Sequence, residues 1–399
     1  MQGPKIAIIG SGPAGLMAAD ILSANFEVNI YDKGKTSGRK FLVAGKGGFN
    51  LTNSAVGMAL YNQYSDNVSL RKALAEFDSV STRKWLEDIG VPTFVGSSGR
   101  VFPEKGIKPI HVLNKIKERL EKKNVNFHYL HEFIGFNESK QPLVNFEGQD
   151  FPIVADYYMF ALGGASWSVT GSNSKWRSYF EDIGIKTADF EPSNCGLNVD
   201  WSEDFIKSFA GMYLKNIQIS LGSKVIKGEA VITDYGLEGN AIYPIIPYVR
   251  SSLSSNDATE ISIDLKPHNT HQNLLEKIKG RRVRTKNYIY VFNLDKAQLA
   301  LTKQFTPKEN YISPERFIEI LKSVKIPISS LRPIEESIST VGGISMEEIG
   351  DDFSLTQYPN IFVLGEMLDW DAPTGGFLLQ GCFSIAVAAA KAINAHSQE

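Results

Sequence analysis

The N-terminal segment up to Asp32 constrains the fold more than any other part of the chain. A short apolar strand at 5–9 leads into Gly10-Ser11-Gly12-Pro13-Ala14-Gly15, then an apolar helix, then a second strand that ends at Asp32. The three glycines permit a sharp turn, a close backbone approach to a ligand, and tight packing of the helix on the strand. The free N–H groups at the helix start attract phosphates, and an acid at the tip of the second strand accepts hydrogen bonds from ribose hydroxyls. The segment therefore predicts a Rossmann unit that binds a dinucleotide.

Length and composition set broad limits. The chain has 399 residues, enough for two or three domains, and its 43% hydrophobic and 22% charged residues are ordinary for a globular protein. A net charge of −2 indicates no general affinity for nucleic acid or anionic membranes. Cys195 and Cys382 are too few for a disulfide framework or a cysteine zinc cluster, which indicates a reducing compartment. The apolar run Phe383–Ile393 is too short to span a bilayer. We expect a cytoplasmic protein with no metal site and no membrane partner; the oligomeric state is not predicted.

The order of the predicted elements indicates an α/β chain with an inserted middle. Residues 1–191 and 335–399 are predicted to form one discontinuous nucleotide-binding domain. Residues 192–270, with 326–334, alternate short apolar strands and glycine turns, which is typical of an antiparallel β domain. Residues 271–325 are predicted to form a small helical subdomain.

Local patterns predict individual elements. Apolar residues at helical spacing predict helices over 68–90 and 108–123. His128 and His131 lie in strand-like sequence, so their rings are expected to point to opposite faces rather than form a metal site.

The C-terminal segment selects FAD over NAD as the dinucleotide. The fingerprint occurs once, so a second Rossmann domain of the usual kind for NAD(P) is not indicated. Apolar residues 361–364 form a predicted strand that delivers Gly365 and Glu366 at its carboxyl end, where ligands bind in such sheets. A helix then begins near Gly375 and Gly376, and its N–H groups can face the pyrimidine edge of an isoalloxazine ring.

At this level of detail the chain resembles the BaiN/YhiN-type flavoproteins, a family often labelled NAD(P)/FAD-dependent or aminoacetone-oxidase-like. The resemblance covers nearly the whole chain, in family order and spacing. It is carried by five blocks: Gly10–Gly15, Gly38–Asn53 (Gly-Arg-Lys-Phe-Leu through Gly-Lys-Gly-Gly-Phe-Asn-Leu-Thr-Asn), Gly99–Pro103, Ala161–Ser166 and Gly365–Gln380.

The resemblance implies an FAD domain of glutathione-reductase type, assembled from both chain ends, with an inserted β domain and a small helical domain. By motif, the family resemblance places the ADP half near the glycine turn, the phosphates or ribose near Arg39 and Lys40, and the ring near Asn50 and Gly376. The predicted cofactor-binding residues are Gly10, Gly12, Pro13, Ala14, Gly15, Asp32, Lys33, Arg39, Lys40, Asn50, Thr52, Phe133, Ala161, Gly163, Gly164, Gly365, Glu366, Asp369, Gly375, Gly376 and Phe377.

The chain also departs from the family pattern. Many members carry Gly-Arg-Cys-Asn where this chain has Gly47-Gly48-Phe49-Asn50, so the arginine and the cysteine beside the flavin are absent. Loss of an arginine from a flavin face changes which anionic substrate binds. Trp370 and Asp371, which flank the predicted FAD loop, are further candidates for the wall of a pocket.

These observations predict an FAD-dependent oxidoreductase with NAD(P)H as the expected reductant and an unassigned small-molecule substrate; no catalytic acid or base is assigned. One alternative is a flavin-dependent reductase of a uridine in ribosomal RNA. It is suggested by the basic segment Lys277–Lys286, followed by Tyr288 and Tyr290, because cations and aromatic rings together bind RNA. The other is a flavin-binding sensor or assembly partner without turnover.

Overall fold

The computed structural model describes residues 4–43, 48–256 and 258–397. Gly45, Lys46 and Gly47 of the second sequence block lie outside the described residues. The strands are β1 (Lys5–Ile9), β2 (Glu27–Asp32), β3 (Thr52–Asn53), β4 (Thr93–Val95), β5 (Arg100–Pro103), β6 (Asn126–Tyr129), β7 (Glu132–Phe136), β8 (Pro142–Phe146), β9 (Gln149–Pro152), β10 (Tyr157–Phe160), β11 (Thr187–Ser193), β12 (Leu197–Asn198), β13 (Tyr213–Leu221), β14 (Lys224–Ile232), β15 (Gly236–Glu238), β16 (Thr259–Asp264), β17 (Val324–Ile328), β18 (Ser330–Leu331), β19 (Ser339–Ile344), β20 (Ser354–Leu355) and β21 (Tyr358–Val363).

The α-helices lie between these strands. They are α1 (Pro13–Leu22), α2 (Arg39–Val43), α3 (Met58–Tyr61), α4 (Val68–Glu76), α5 (Ser79–Asp88), α6 (Pro109–Lys122), α7 (Trp176–Glu181), α8 (Glu203–Phe209), α9 (Ile246–Ser255), α10 (His271–Ile278), α11 (Tyr288–Val291), α12 (Lys296–Gln304), α13 (Lys308–Tyr311), α14 (Pro314–Lys322) and α15 (Phe377–His396). Short 3-10 turns occur at Ser168–Thr170, Tyr243–Ile245, Thr285–Asn287, Ile334–Glu336, Met346–Glu348 and Gly365–Met367.

The chain divides into two compact units, one that runs to Glu191 and resumes at Ser339, and one formed by Pro192–Ile338. The first unit is built on a sheet of order β20–β21–β10–β1–β2–β6. Its strands β21, β10, β1, β2 and β6 pair in parallel, and β20 is antiparallel. Strands from both chain ends are thus neighbours in one sheet, as expected for a Rossmann domain of this type.

The helices α1 and α15 pack together in the core of this unit. Both are rich in alanine and aliphatic residues, and Met17, Ala18, Ala386 and Val387 are fully or almost fully buried. By length and composition α15 is the one helix among the described residues that could cross a membrane. Since most of it is buried here, its apolar character is explained by its place in the core.

The second unit contains an antiparallel sheet of order β17–β16–β13–β14–β15–β12–β18. Alternating residues of these strands, such as Ile261 and Ile263, are buried. Helices from the segment 271–325 contribute Leu274 and Phe317 to the same hydrophobic cluster, so this predicted helical subdomain shares its core with the sheet. The α/β class with an inserted antiparallel β unit is confirmed.

Two helix predictions had different outcomes. The predicted helix 108–123 appears as α6, with Val112, Ile116 and Leu120 buried. The predicted single helix 68–90 is wrong, because the chain breaks between α4 and α5. Asp78 accepts a hydrogen bond from the backbone N–H of Ser81 and thereby begins a new helix.

A buried carboxylate joins three helices of the first unit. Asp20 on α1 is 2% exposed and accepts hydrogen bonds from Trp85 Nε1 (2.8 Å), Arg119 Nε (2.7 Å) and Lys123 Nζ (2.6 Å). Burial raises the pKa of Asp20, but the hydrogen bonds from Arg119, Lys123 and Trp85 outweigh burial and hold it below its ordinary value of 3.8. The group is therefore charged in the folded protein at neutral pH.

We expect Asp20→Asn to lower the free energy of unfolding by about 3 kcal/mol at pH 7, because two partly buried cations lose their anion. The folded pKa lies below the unfolded value of about 3.9, so the stabilisation is present above that value and is lost as pH falls through the folded pKa. Urea unfolding from pH 7 to pH 3 should show the difference between variant and wild type shrinking below about pH 4. Asp351→Asn, which breaks the exposed pair with Lys72, is the matched control and should have a much smaller effect, because solvent screens exposed ion pairs. Equal losses of unfolding free energy in the two variants would contradict the stabilising role assigned to the buried Asp20 carboxylate.

Candidate functional site

The glycine turn between β1 and α1 forms the floor of a cleft in the first unit. Gly10 has φ +110°, and a Cβ atom built on it would lie 2.3 Å from the carbonyl oxygen of Ala161. A Cβ on Gly15 would lie 2.1 Å from the carbonyl oxygen of Gly10. Neither position accepts a side chain, because the turn, the helix and the end of β10 are in direct contact.

Gly12 differs from these two glycines. A Cβ on Gly12 would have its nearest neighbour, the carbonyl oxygen of Ala161, at 3.9 Å, so the space beside it is open. Gly12 caps α1 with extended backbone, no side chain satisfies the helix N–H groups, and Pro13 occupies the first turn. The free N–H groups of Ala14 and Gly15 and the positive helix end suit a phosphate, and the absent side chain leaves room for it.

Asp32 lies at the carboxyl end of β2, beside the turn. Its Oδ2 accepts from the backbone N–H (2.8 Å) and the hydroxyl (2.5 Å) of Ser11, and its Oδ1 accepts from the N–H of Gly34 (2.7 Å). A carboxylate has about four acceptor positions, so capacity remains for a ribose hydroxyl.

An ion pair lies on another wall of the cleft. Lys40 Nζ is 2.8 Å from Glu366 Oε2 and donates to Ser166 Oγ at 2.9 Å. The other oxygen of Glu366 accepts from the backbone N–H of Thr340 at 3.2 Å. A cation and an acid, both partly exposed, are thus held where a ligand with phosphates and hydroxyls can contact them.

The cleft is partly open to solvent. The predicted site residues that line it are Gly10, Gly12, Pro13, Ala14, Asp32, Lys33, Arg39, Lys40, Phe133, Ala161, Gly163, Gly365 and Glu366. These residues come from six separate chain segments, and the fold brings them together at the carboxyl edge of the sheet. The glycine turn and the charged side chains together fit the ADP half and ribityl chain of an FAD molecule.

The other predicted residues lie outside the lining of this cleft: Gly15, Asn50, Thr52, Gly164, Asp369, Gly375, Gly376 and Phe377. Gly164 packs behind the cleft, where a Cβ would lie 2.1 Å from Thr340 Oγ1. Asp369 Oδ1 accepts from the backbone N–H of Gly342 at 3.0 Å. Asn50 is partly exposed, in the segment that leads to β3.

Several of these outlying residues meet at the start of α15. The Thr52 hydroxyl donates to Gln380 Oε1 at 2.6 Å, and a Cβ on Gly376 would lie 2.3 Å from the carbonyl carbon of Thr52. Gln380 is fully buried and also accepts from the Thr82 hydroxyl at 2.8 Å. This network fastens β3 to α15, so the Thr52 hydroxyl is engaged within the protein. The approach of Thr52 to the flavin stays a prediction.

Part of the cleft lining was not predicted from the sequence. Tyr31, His131 and Glu132 line the cleft beside the predicted residues. The position of His131 could have been predicted, because it follows a strand, β6, that pairs in parallel with β2, and the carboxyl ends of such strands meet at one edge of the sheet. In the structure its backbone N–H donates to the Asp32 carbonyl at 2.9 Å.

The expectation that His128 and His131 point to opposite faces is wrong. Their ring centroids are 5.7 Å apart. Leu130 has φ +63°, and this left-handed residue turns the chain after β6 so that both rings come together with Tyr31.

Two titratable side chains of the cleft are shifted toward their neutral forms. Burial lowers the pKa of Lys33, whose Nζ donates to Asn173 Oδ1 at 3.3 Å. Burial, with the nearby charge of Glu366, raises the pKa of the Cys382 thiol to about 12. Cys382 is therefore a neutral thiol at physiological pH and is unsuited to nucleophilic chemistry.

Trp370 does not line the cleft. It is 2% exposed, its Nε1 donates to the carbonyl of Gly365 at 2.7 Å, and it packs on Gly381. It therefore fixes the loop that carries Glu366 rather than forming a wall.

The fold and the cleft define a class of protein, the Rossmann flavoproteins that act as FAD-dependent oxidoreductases. Within this class the chain belongs to the HI0933-like family, since the HI0933-like protein Rossmann domain matches residues 4–392. The chain is 23% identical to the 3-dehydro-bile acid delta(4,6)-reductase of Clostridium scindens, over 97% of this chain and 98% of that protein. It is 22% identical to the ribosomal RNA dihydrouridine synthase of Haemophilus influenzae, over 97% of this chain and 98% of that protein.

Solved structures give the same fold. The 3-ketosteroid delta1-dehydrogenase of Sterolibacterium denitrificans matches with a TM-score of 0.53 and 12% identity, over 99% of this chain and 100% of that one. The 3-ketosteroid-delta4-(5alpha)-dehydrogenase of Rhodococcus jostii matches with a TM-score of 0.51 and 11% identity, over 98% of both chains. At such low identity these likenesses support the fold alone.

We expect Gly12→Ala to reduce FAD affinity at least about tenfold, because the added methyl group enters the open space beside the helix N-terminus. The unfolding free energy of the apoprotein should lie within about 0.5 kcal/mol of wild type, since the nearest atom, at 3.9 Å, is at an ordinary van der Waals contact distance. Fluorescence titration with FAD and urea unfolding of the apoprotein measure the two effects.

Gly10→Ala is the matched control at the same turn. Its Cβ would overlap the backbone of Ala161, so this variant should lose stability as well as affinity. An unchanged FAD affinity in Gly12→Ala would remove the turn from the binding site.

Proposed function

We propose that this protein is an FAD-dependent reductase that takes electrons from NAD(P)H and passes them to a small-molecule substrate. The observation that carries the proposal is the open, unsubstituted backbone at Gly12 and the start of α1, beside Asp32. We also infer that it works in the cytoplasm, which agrees with the small number of cysteines, two in 399 residues.

The residues of the cleft have distinct roles in this proposal. Asp32 holds the adenosine ribose, the start of α1 binds the pyrophosphate, and Lys40 with Glu366 binds the phosphates and the ribityl hydroxyls. When bound, FAD supplies the capacity to accept and donate a hydride. The backbone at Gly375 and Gly376 supports the ring and keeps side chains away from it. No side chain is assigned as a proton donor.

The chemistry we favour is reduction of a carbon–carbon double bond conjugated to a carbonyl group. The names of both curated relatives describe reduction of such a bond, one in a steroid skeleton and one in a uracil ring. Such a substrate needs a hydride on one carbon, a transfer that flavins support, and a proton on its neighbour.

The reductant is tested by anaerobic mixing of the purified flavoprotein with NADH or NADPH. We expect the flavin absorbance near 450 nm to bleach faster than that of free FAD, because the site orients the two ring systems (450 nm is roughly the usual flavin maximum). Gly12→Ala reconstituted with excess FAD is the control for bleaching by unbound cofactor. A bound flavin that neither nucleotide nor dithionite-coupled dyes can reduce would favour the sensor alternative.

A second candidate, reduction of a uridine in ribosomal RNA, is favoured by the surface of the second unit. The side chains of Arg281, Arg282, Arg284 and Lys286 are exposed, and within the described part of the chain they form no ion pair. Tyr290 is 84% exposed and available for stacking. Unpaired cations beside an exposed ring are suited to RNA phosphates and bases.

Tyr288 was also predicted to stack on RNA bases, and this prediction is wrong. It is fully buried, its hydroxyl donates to the carbonyl of Ile312 at 3.1 Å, and its ring stacks on Phe317 at 4.2 Å. It belongs to the hydrophobic core of the second unit.

If this surface binds RNA, the triple variant Arg281→Gln, Arg282→Gln, Arg284→Gln should lose affinity for a ribosomal RNA fragment. Each lost phosphate contact should reduce the slope of log affinity against log salt by about 0.7–0.9, so three contacts reduce it by about 2–3. Filter binding between roughly 50 and 200 mM salt measures the slope.

The matched control removes three exposed lysines elsewhere on the same unit, Lys207, Lys215 and Lys227. Equal slopes in the two variants would show only general charge effects. In cells, ribosomal dihydrouridine that is unchanged after deletion of the gene would remove the RNA candidate and leave the small-molecule proposal in place.

A further inference from the structure

The guanidinium of Arg100 lies at the predicted flavin end of the first unit. The residue is half-buried, and within residues 4–43, 48–256 and 258–397 its side chain forms no hydrogen bond or ion pair. Most partly buried arginines of this unit are engaged: Arg119 pairs with Asp20, and Arg177 pairs with Glu181 and Asp189. A partly buried guanidinium with no anion is unfavourable unless a ligand supplies the anion.

The fold determines where this guanidinium lies. Arg100 on β5 is directly opposite Asn53 on β3 in an antiparallel pair, so both side chains project from the same face. The Asn53 side chain donates from Nδ2 to the carbonyl of Gly375 at 3.2 Å. Arg100 Nε lies 3.5 Å from the position that a Cβ of Gly375 would occupy. The arginine is therefore packed over the paired glycines that precede α15.

The position of Arg100 is determined by the packing of the strands around it, and not only by the conformation of a long side chain. Thr52, the neighbour of Asn53 on β3, is tied to the buried Gln380 of α15, and Val101 beside Arg100 is fully buried. Strand β3 is thus attached to the helix that begins at Phe377, and β5 is held to β3 by strand pairing. The charge of Arg100 adds to the positive end of a helix of 20 residues.

We propose that Arg100 contacts the pyrimidine edge of the bound flavin and stabilises the negative charge that this edge carries in the reduced cofactor. The inference rests on the proposed function, because it requires FAD to bind with its ring beside Gly375 and Gly376. It extends that function by assigning a residue that sets the electron affinity of the cofactor. The delocalised N–C=O edge of the ring matches the planar, bidentate donor geometry of a guanidinium.

Sulfite binding tests the proposal without turnover. Sulfite adds to an oxidised flavin through a new sulfur–nitrogen bond, and the resulting negative charge resides at the pyrimidine edge. We expect Arg100→Met to bind sulfite about tenfold more weakly than wild type, as for loss of one neighbouring charge. The midpoint potential should fall by about 30 mV, the equivalent of tenfold for a two-electron couple. Arg100→Lys, which keeps the charge, should recover most of both effects.

Arg83→Gln is the control, since Arg83 donates to Thr93 on the adjacent strand β4 and lies in the same unit. It should leave sulfite affinity and potential unchanged. All variants are compared at equal FAD occupancy, measured by absorbance, and Arg100→Gln substitutes for the methionine variant if that one does not fold.

Equal sulfite affinity and potential in wild type and Arg100→Met, both holding FAD, would overturn the inference. If small carboxylates alter the flavin spectrum of wild type and not of Arg100→Met while the potential is unchanged, the arginine binds a substrate anion instead, and the inference is again overturned. A wild-type protein that holds no FAD would overturn the proposed function itself, so the two failures are distinguishable.

Discussion

The contact between the glycine turn and the end of β10 is the constraint on which the rest of the first unit depends. Gly10 meets the backbone of Ala161, and the N–H of Ala161 donates to the carbonyl of Ile9 at 2.8 Å. A Cβ on Gly365 would lie 3.2 Å from the Cβ of Ala14 and 3.2 Å from Cys382 Sγ. Three segments far apart in sequence thus approach to backbone contact at one point. Side chains there would separate them and open the cleft.

This convergence explains why polar side chains form the walls of the cleft, whereas its floor consists of backbone without large side chains. The floor consists of backbone from β1, α1 and β10, whose N–H groups carry partial positive charge. The walls carry groups held by other parts of the chain: Asp32 by Ser11, and Lys40 by Glu366. Since Asp32, Lys40 and Glu366 have protein partners, this part of the site keeps its shape without a ligand and needs little reorganisation to bind one.

Some of the site was predictable from sequence because local chemistry determines it. The glycine turn and Asp32 follow from strand, turn and helix signals within a single segment, and the strand that delivers Gly365 and Glu366 is marked by its apolar run. The HI0933-like family and the α/β class are confirmed on the same basis. The break between α4 and α5 also had a local signal, the capping residue Asp78. Apolar residues continue at helical spacing across this position, so the sequence pattern predicted a single helix.

Other features depend on contacts that sequence spacing does not encode. The turn at Leu130 brings His128 and His131 together, although leucine is not a residue that marks left-handed backbone. Trp370 and Tyr288 resemble exposed site aromatics in sequence, and each is instead buried with its polar atom bonded to a backbone carbonyl. Thr52 was placed near the flavin by motif, but its hydroxyl is tied to Gln380 across 328 positions of sequence.

Helix α15 connects the residues that line the cleft with the residues at its own N-terminus. This connection determines what kind of ligand can contact both groups. Cys382 lines the cleft, and Phe377 begins the helix five positions earlier, which is about 8 Å along the axis. The cleft is also lined by Tyr31 and Asp32 at the end of β2 and by His131, which follows the neighbouring strand β6. A mononucleotide would fill only one of these regions. A ligand that joins a nucleotide to a second planar ring system, with phosphates between them at the start of α1, contacts both, and FAD has this arrangement.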